Sequence, residues 1–482
     1  MFTGMRDSVL QTVRSPLRAW ALSLAGSLVL SGCAMFDRPY PVPEPSADPF
    51  DFRVIQSDDY GSLWDPSAAQ RTLDDTAAYA QRTNTFVVLF IHGWHHSARE
   101  DDDNLRDSKK TLKALYALLA TDKRAQLRQA LTGNPDFKLI GIYVGWRGQS
   151  LPMPLDYLTA WGRKAAAERV GEGDVSEFIQ RLQGLYSRTN TFDPDAPEDQ
   201  VCKPFTGLVT IGHSFGAQVL WKAMSRNLEA PLIARSKNFS KVLAPEAAPA
   251  SPPLATSAID TFGDLNILLN PALEAYQFAR VDTLYRQLKY PRQQTPQVVV
   301  FSAENDWARK SVFTLERAAT LPFRPRFRSD GDGYQGTLWG HALGEADEQL
   351  THTLTLAPDV PDSLTENDYT RPETFRDFDF TDNTVFGNIR MARVPPAPQA
   401  RTAVDFSPIA VVKTRDKIID GHNGIFLQPF IDFLASYVAY IEGKRILLRR
   451  DALAVRANGK DRAPSSAPCG PSTRPVVLAA PQ

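Results

Sequence analysis

Cysteine is scarce in this chain. The 482 residues contain three, at positions 33, 202 and 469, too few for a disulfide framework and not spaced like zinc ligands. Stability must therefore come from packing. A surplus of basic charge is also missing: 54 Lys and Arg stand against 55 Asp and Glu. Nothing in that balance would neutralise a phosphate backbone, so nucleic acid is not an expected partner. The N-terminal apolar run, Ala19 to Leu30, is too short for a bilayer core, which takes about 20 residues. No internal repeat is visible. Apolar residues, by contrast, are plentiful at 43%, enough for one large core or two ordinary ones.

The N-terminus carries the first positive signal. Arg6, Arg14 and Arg18 precede that apolar run, giving the charged and hydrophobic regions of an export signal. Leu30-Ser31-Gly32-Cys33 follows and resembles the lipobox of bacterial lipoproteins. The resemblance implies a signal peptide over residues 1–32, a mature chain starting at a lipidated Cys33, and a place in the bacterial envelope, held to a membrane by acyl chains. Ala34 after the cysteine is compatible with outer-membrane sorting. An ordinary signal peptide or a buried helix is the plainer reading. The Pro-rich stretch 38–45 disfavours helix and reads as a tether over residues 33–49.

From residue 50 to about 445 the pattern alternates. Apolar runs at 85–91, 137–144, 208–211, 264–269, 297–301 and 408–414 suit strands buried on both faces. Helical patterns separate them: 66–81, a helix opening at 99–104, 156–188, the segment after Ala217, and an amphipathic helix after Pro429. Strands alternating with helices imply an α/β fold with a mostly parallel central sheet. Residues 226–262 and 308–405 read as irregular insertions, 244–254 as a surface loop, and 446–482 as a disordered tail.

One motif carries chemistry. Gly212-His213-Ser214-Phe215-Gly216 lies between an apolar run and a helical pattern, the setting of a strand-turn-helix nucleophile elbow. Small residues two before and two after the serine leave room for the tight turn. Upstream, Ile91-His92-Gly93-Trp94 closes another apolar run. Together these features resemble the α/β-hydrolase superfamily over roughly residues 50–445. The resemblance implies Ser214 as nucleophile, the backbone amides of Trp94 and Phe215 as an oxyanion hole, Gly93 for the turn and His92 as a structural histidine. It also implies the order Ser, acid, His along the chain.

His341, His352 and His422 follow Ser214. His422 lies after the last apolar run and before the C-terminal amphipathic helix, where the superfamily keeps its base. Asp306, several residues past the 297–301 run, matches the acid, with Glu274 and Glu304 as alternatives. Asp420 and Asn423 read as turn residues, and Trp146-Arg147 as a packing device or a pocket wall. Cys202 and Cys469 could pair only if the fold brings them together.

The expected activity is a serine hydrolase acting on an ester or related acyl bond. No cofactor or metal is expected, although His92, His95 and His96 could in principle bind zinc. A catalytically silent envelope scaffold on the same fold is the alternative from another class. Nothing in the sequence selects among lipid, small ester, polysaccharide acetyl group or peptide.

Overall fold

The structure, a computed structural model, describes residues 38–43, 47–150, 159–191, 203–236, 258–313, 334–370, 372–394 and 404–458. The signal region with Cys33, the 244–254 loop, Cys202 and Cys469 lie outside the described residues.

The strands are β1 (Asp51–Gln56), β2 (Asn84–Ile91), β3 (Phe137–Gly145), β4 (Thr206–His213), β5 (Leu265–Leu269), β6 (Val298–Ala303), β7 (His352–Leu356), β8 (Thr384–Phe386), β9 (Ile389–Arg393) and β10 (Ile409–Thr414). They form one sheet in the order β1-β3-β2-β4-β5-β6-β10-β7-β9-β8. Every pairing from β1 to β7 along that order is parallel, and β9 and β8 join antiparallel. The fold is therefore α/β with a mostly parallel sheet.

Alternation of side chains divides the core. Phe86, Val88 and Phe90 of β2 face one layer, and Val87, Leu89 and Ile91 the other. The first layer is covered by α2 (Asp103–Leu119), α3 (Asp122–Thr132) and α10 (Gln428–Asn458). The second is covered by α1 (Pro66–Ala80), α4 (Ala160–Val170), α5 (Asp174–Asn190), α6 (Phe215–Arg235) and α7 (Ala275–Arg286). The short helices α8 (Tyr334–Gly340) and α9 (Pro372–Asp377) complete the described set. All eight residues of β2 are buried, which explains an unbroken apolar run where a one-sided strand would alternate. Each buried Leu, Ile or Phe contributes about 1.5–3 kcal/mol relative to exposure.

Helix ends follow local chemistry. Asp65 caps α1 by accepting from Ala68 N at 2.9 Å, with Pro66 in the first turn. Asp102 caps α2 through Asn104 N at 2.9 Å. Gly133 closes α3 at φ +73°.

Five expectations need correction. Residues 226–235, read as the start of an irregular insertion, continue α6 to Arg235. Residues 308–405 are not wholly an insertion outside the sheet, because β7, β8 and β9 extend it. These strands are three to five residues long and half exposed in places, so they lack a long apolar signature. Their clue was Gly387-Asn388 between the apolar Phe386 and Ile389, a two-residue hairpin turn with Gly387 at φ +60°. The segment read as helix over 156–188 is, in its described residues from 159, two helices broken around Gly171-Glu172-Gly173, where a Cβ on Gly173 would sit 2.9 Å from the Gly61 backbone. Strand β1 was missed, being an edge strand with mixed polarity. Finally, α10 continues to Asn458, past the boundary at 445. Among the described residues no helix is long and apolar enough to cross a membrane.

The sheet order places a switch point beside β2. From β2 the chain crosses to β3 on one side, then returns to β4 on the other. Loops leaving β2 and β4 at their carboxyl ends therefore diverge to opposite faces of the sheet, the position at which open α/β sheets place their ligand sites. Those two loops begin at His92 and Ser214.

Candidate active site

Strand β4 ends at His213, and α6 begins at Phe215, so Ser214 alone makes the turn. Its backbone is at φ 55°, ψ −120°, a strained conformation for a non-glycine residue. The strain is held by neighbours. Ser214 N donates to Leu269 O at 3.0 Å, and Ser214 O accepts from Ala272 N at 3.1 Å. Close approach also requires missing side chains. A Cβ on Gly212 would lie 2.6 Å from Ala217 Cα, and one on Gly216 would overlap the Ile91 carbonyl oxygen.

The imidazole of His422 reaches this turn from the loop before α10. Its Nε2 is 2.7 Å from Ser214 Oγ, and its Nδ1 is 2.7 Å from Asp306 Oδ2. Because the carboxylate can only accept, Nδ1 carries the proton and Nε2 accepts from the serine hydroxyl. Burial alone would raise the Asp306 carboxyl. The hydrogen bond from His422 and the charge of Arg309 outweigh it, holding Asp306 well below the usual carboxylate range. The acid and the serine are buried, while the His422 side chain keeps 18% exposure. Solvent meets the line at its middle member, the imidazole.

The His422 backbone is held as firmly as its ring. Its carbonyl accepts from His213 Nε2 at 3.0 Å and from Asn270 Nδ2 at 2.8 Å. Asn270 Oδ1 accepts from Ala303 N at 2.8 Å. Asn270 thus ties the ends of β5 and β6 to the His422 loop, from a backbone at φ 41°. Asn305 pins the same loop from the other side, donating to Asp420 Oδ1 at 2.6 Å and accepting from Gly421 N at 2.9 Å. Burial, with His422 close by, pushes His213 well below its ordinary value, so it stays neutral.

The loop after β2 lies against the serine. A Cβ on Gly93 would be 2.7 Å from Ser214 Cβ, and the rings of Trp94 and Phe215 are 6.1 Å apart. Phe215 opens α6, so its N–H has no acceptor within the helix, and the positive end of the helix dipole points at the turn. His92 braces this loop. Its Nδ1 donates to Gly93 O at 2.8 Å and its Nε2 accepts from Trp146 N at 3.0 Å. Burial lowers it to about 4.

The competing residues are engaged elsewhere. Glu274 pairs with Lys164 at 2.7 Å, and Glu304 is exposed, 3.8 Å from Arg415. His341 Nδ1 bonds Thr337 O at 2.7 Å, and His352 is buried in β7 against Thr351. His96 lies between Asp102 at 3.2 Å and Asn104 at 3.0 Å, while His95 stacks on Trp94. No grouping of His, Cys, Asp and Glu suited to a metal occurs among the described residues. Trp146 donates from its indole to His92 O at 2.9 Å, and Arg147 pairs with Asp59, so this pair packs and bridges.

Sequence reasoning missed Asn270, His213, Asn305 and Arg309. Asn270 had a weak signal, an Asn at a strand end, since Asn tolerates a left-handed backbone, although the proline after it favours an extended one. Arg309, three residues after Asp306, also had one, since that spacing brings an acid and a base together on a helical turn.

Comparison with family models, curated proteins and solved structures finds no match.

Proposed function

We propose that this chain is a serine hydrolase of the α/β-hydrolase type, cleaving an ester or related acyl bond. The observation that carries the reading is the line Ser214 Oγ to His422 Nε2 to Asp306, with both contacts at 2.7 Å. A serine hydroxyl is too weakly acidic to attack unaided near neutral pH, and the imidazole supplies the missing base. As Oγ bonds to the acyl carbon, its proton passes to His422 Nε2. Asp306 stabilises the resulting imidazolium without itself taking the proton. The carbonyl oxygen becomes an oxyanion, toward which the Trp94 and Phe215 amides and the N-terminus of α6 would direct positive charge. Nε2 then protonates the leaving group. Water, deprotonated by the same imidazole, attacks the acyl-enzyme and restores Ser214.

A fluorophosphonate probe tests the assignment. The full chain should label on Ser214, and Ser214→Ala should not. Labelling of the variant at the parent's rate would remove Ser214 from the role. An unlabelled parent that also turns over no ester, short or long, would favour a binding or scaffold role.

We further propose that Cys33 carries the lipid that holds the protein to a bacterial envelope membrane, on the strength of the Leu-Ser-Gly-Cys sequence behind a charged and apolar leader. Incorporation of an alkyne-tagged palmitate into the parent and its loss in Cys33→Ser is the expected result. Equal incorporation in both would refute it.

A further inference from the structure

Behind Asp306 the ionic contacts continue inward. The oxygen that faces His422, Oδ2, also accepts from Arg309 Nε at 2.7 Å, and Oδ1 accepts from Arg309 N at 3.1 Å. Arg309 Nη2 donates to Glu345 Oε1 at 2.6 Å and to Ser302 Oγ at 2.6 Å, and Nη1 to Leu343 O at 3.1 Å. Glu345 Oε2 lies 3.4 Å from Lys413 Nζ. The Arg309 side chain is 1% exposed and that of Glu345 8%. Charges of alternating sign therefore run from the imidazole through Asp306, Arg309 and Glu345 to Lys413.

Geometry makes this more than a brace. A guanidinium and an imidazole share a single carboxylate oxygen, so each competes for its charge. A carboxylate drawn toward Arg309 stabilises an imidazolium less. Glu345 pulls the other way, engaging the guanidinium and freeing Asp306. We propose that Arg309 is a positioning residue that sets how strongly Asp306 supports a proton on His422, and that Glu345 sets how far Arg309 does so. The catalytic consequence rests on the serine hydrolase reading, whereas the electrostatic coupling does not.

Among the described residues the groups around His422 are few. From β4 comes His213, its ring 5.2 Å away and neutral through burial. From the loop after β6 come Asp306 and Arg309. On its own loop Asp420 is held by Asn305. Farther out, Glu304 faces Arg415 and Lys310 faces the Glu304 carbonyl, His96 stands beyond His213 at 6.5 Å against Asp102, and Lys413 ends the chain from β10.

Two variants with opposite expected effects test the proposal in the full chain. The ring C–H resonance of His422, assigned by its loss in His422→Asn, is followed against pH, together with the rate of fluorophosphonate labelling. Removing the cation with Arg309→Met should move the His422 titration up by about one pH unit or more, since a unit charge this near acts strongly at a buried site. Removing the anion with Glu345→Gln should move it down by several tenths of a unit. The acid limb of labelling should follow both shifts, and Arg309→Lys should return most of the first. Loosened packing would not produce shifts of opposite sign. If Arg309→Met fails to fold, the near-isosteric Glu345→Gln decides alone: a downward shift supports the coupling, and an unchanged or raised titration overturns it. Shifts of the same sign in both variants also overturn it. If the parent neither labels nor turns over any ester, the hydrolase reading falls, while the His422 titrations still decide the role of Arg309.

Discussion

Two buried ionic clusters sit at opposite ends of the same parallel strands. At the carboxyl end are Asp306, His422 and Arg309. At the amino end Asp264, just before β5, accepts from Tyr186 Oη at 2.8 Å and Leu208 N at 2.8 Å, and pairs with Arg445 of α10. Glu442, one helical turn before Arg445, hydrogen-bonds Asp264, and burial beside that carboxylate pushes it well above its ordinary value. Arg445 also donates to Tyr186 Oη at 2.7 Å. Both clusters contain a carboxylate, an arginine and a further titratable group. The difference lies in what borders them. The amino-end cluster meets strand backbone and the helix that covers it, so it locks α10 to the sheet. The carboxyl-end cluster meets a strained serine, a divergence of loops and solvent at His422. In parallel sheets the loops diverge at the carboxyl end, and that is the end at which the proposed site sits.

The sharpest way to break this contrast is to remove His422, the base of the proposed hydrolase. His422→Ala should reduce ester turnover by several orders of magnitude, with a melting temperature close to that of the parent, because the ring sits at the solvent edge. Steady-state turnover on an activated ester and calorimetry measure the two sides. Turnover within tenfold of the parent would end the assignment.

The same contrast explains what the sequence disclosed. Buried strands wrote themselves as apolar runs, as in Thr85 to Ile91, because both faces are covered. Gly212, Ser214 and Gly216 were legible because a turn this tight tolerates few residues. His422 and Asp306 were reachable through chain order, and the structure brings both within 2.7 Å contacts in line with Ser214. The supporting groups were not legible. Asn270 and His213 act through the His422 carbonyl, from 152 and 209 positions away in the chain, and no local pattern records such a contact. Strands β7 to β9 were hidden for a related reason. Each is short, and each gains its place from partners that the sequence does not place beside it. The amino-end cluster was invisible too, since Arg445 and Glu442 read as polar residues of an amphipathic helix until β5 is set beside them.

The next effect is on stability. Arg445→Met removes one partner of a buried pair and should cost about 3–5 kcal/mol, read by urea denaturation at neutral pH. The fluorophosphonate labelling rate of the molecules that remain folded should stay within twofold of the parent. A variant as stable as the parent would mean that Asp264 is satisfied without its cation. A large fall in labelling rate would mean that the two ends of the sheet are not independent.

The smallest effect separates the ends by the sign of their pH dependence. Glu442 has its folded value raised, so its contribution is fully present below the ordinary value of 4.5 and is lost as pH rises from there through the folded value. The carboxyl end behaves oppositely. His92, lowered to about 4, and His213, lowered well below its ordinary value by burial, contribute fully above 6.5 and lose that contribution as pH falls through their folded values. Asp306 adds to this loss below 3.8. The parent should therefore lose stability on both sides of an optimum, at up to about 1.4 kcal/mol per pH unit for each group on its own limb. Glu442→Gln keeps the shape and a hydrogen-bond donor but cannot ionise. Its melting temperature should fall less steeply than that of the parent as pH rises from 5 to 9, with the acid side unchanged. A melting curve against pH that superimposes on the parent's across that range would show that Glu442 does not carry the alkaline limb, which would then fall to Asp264, raised by the same burial.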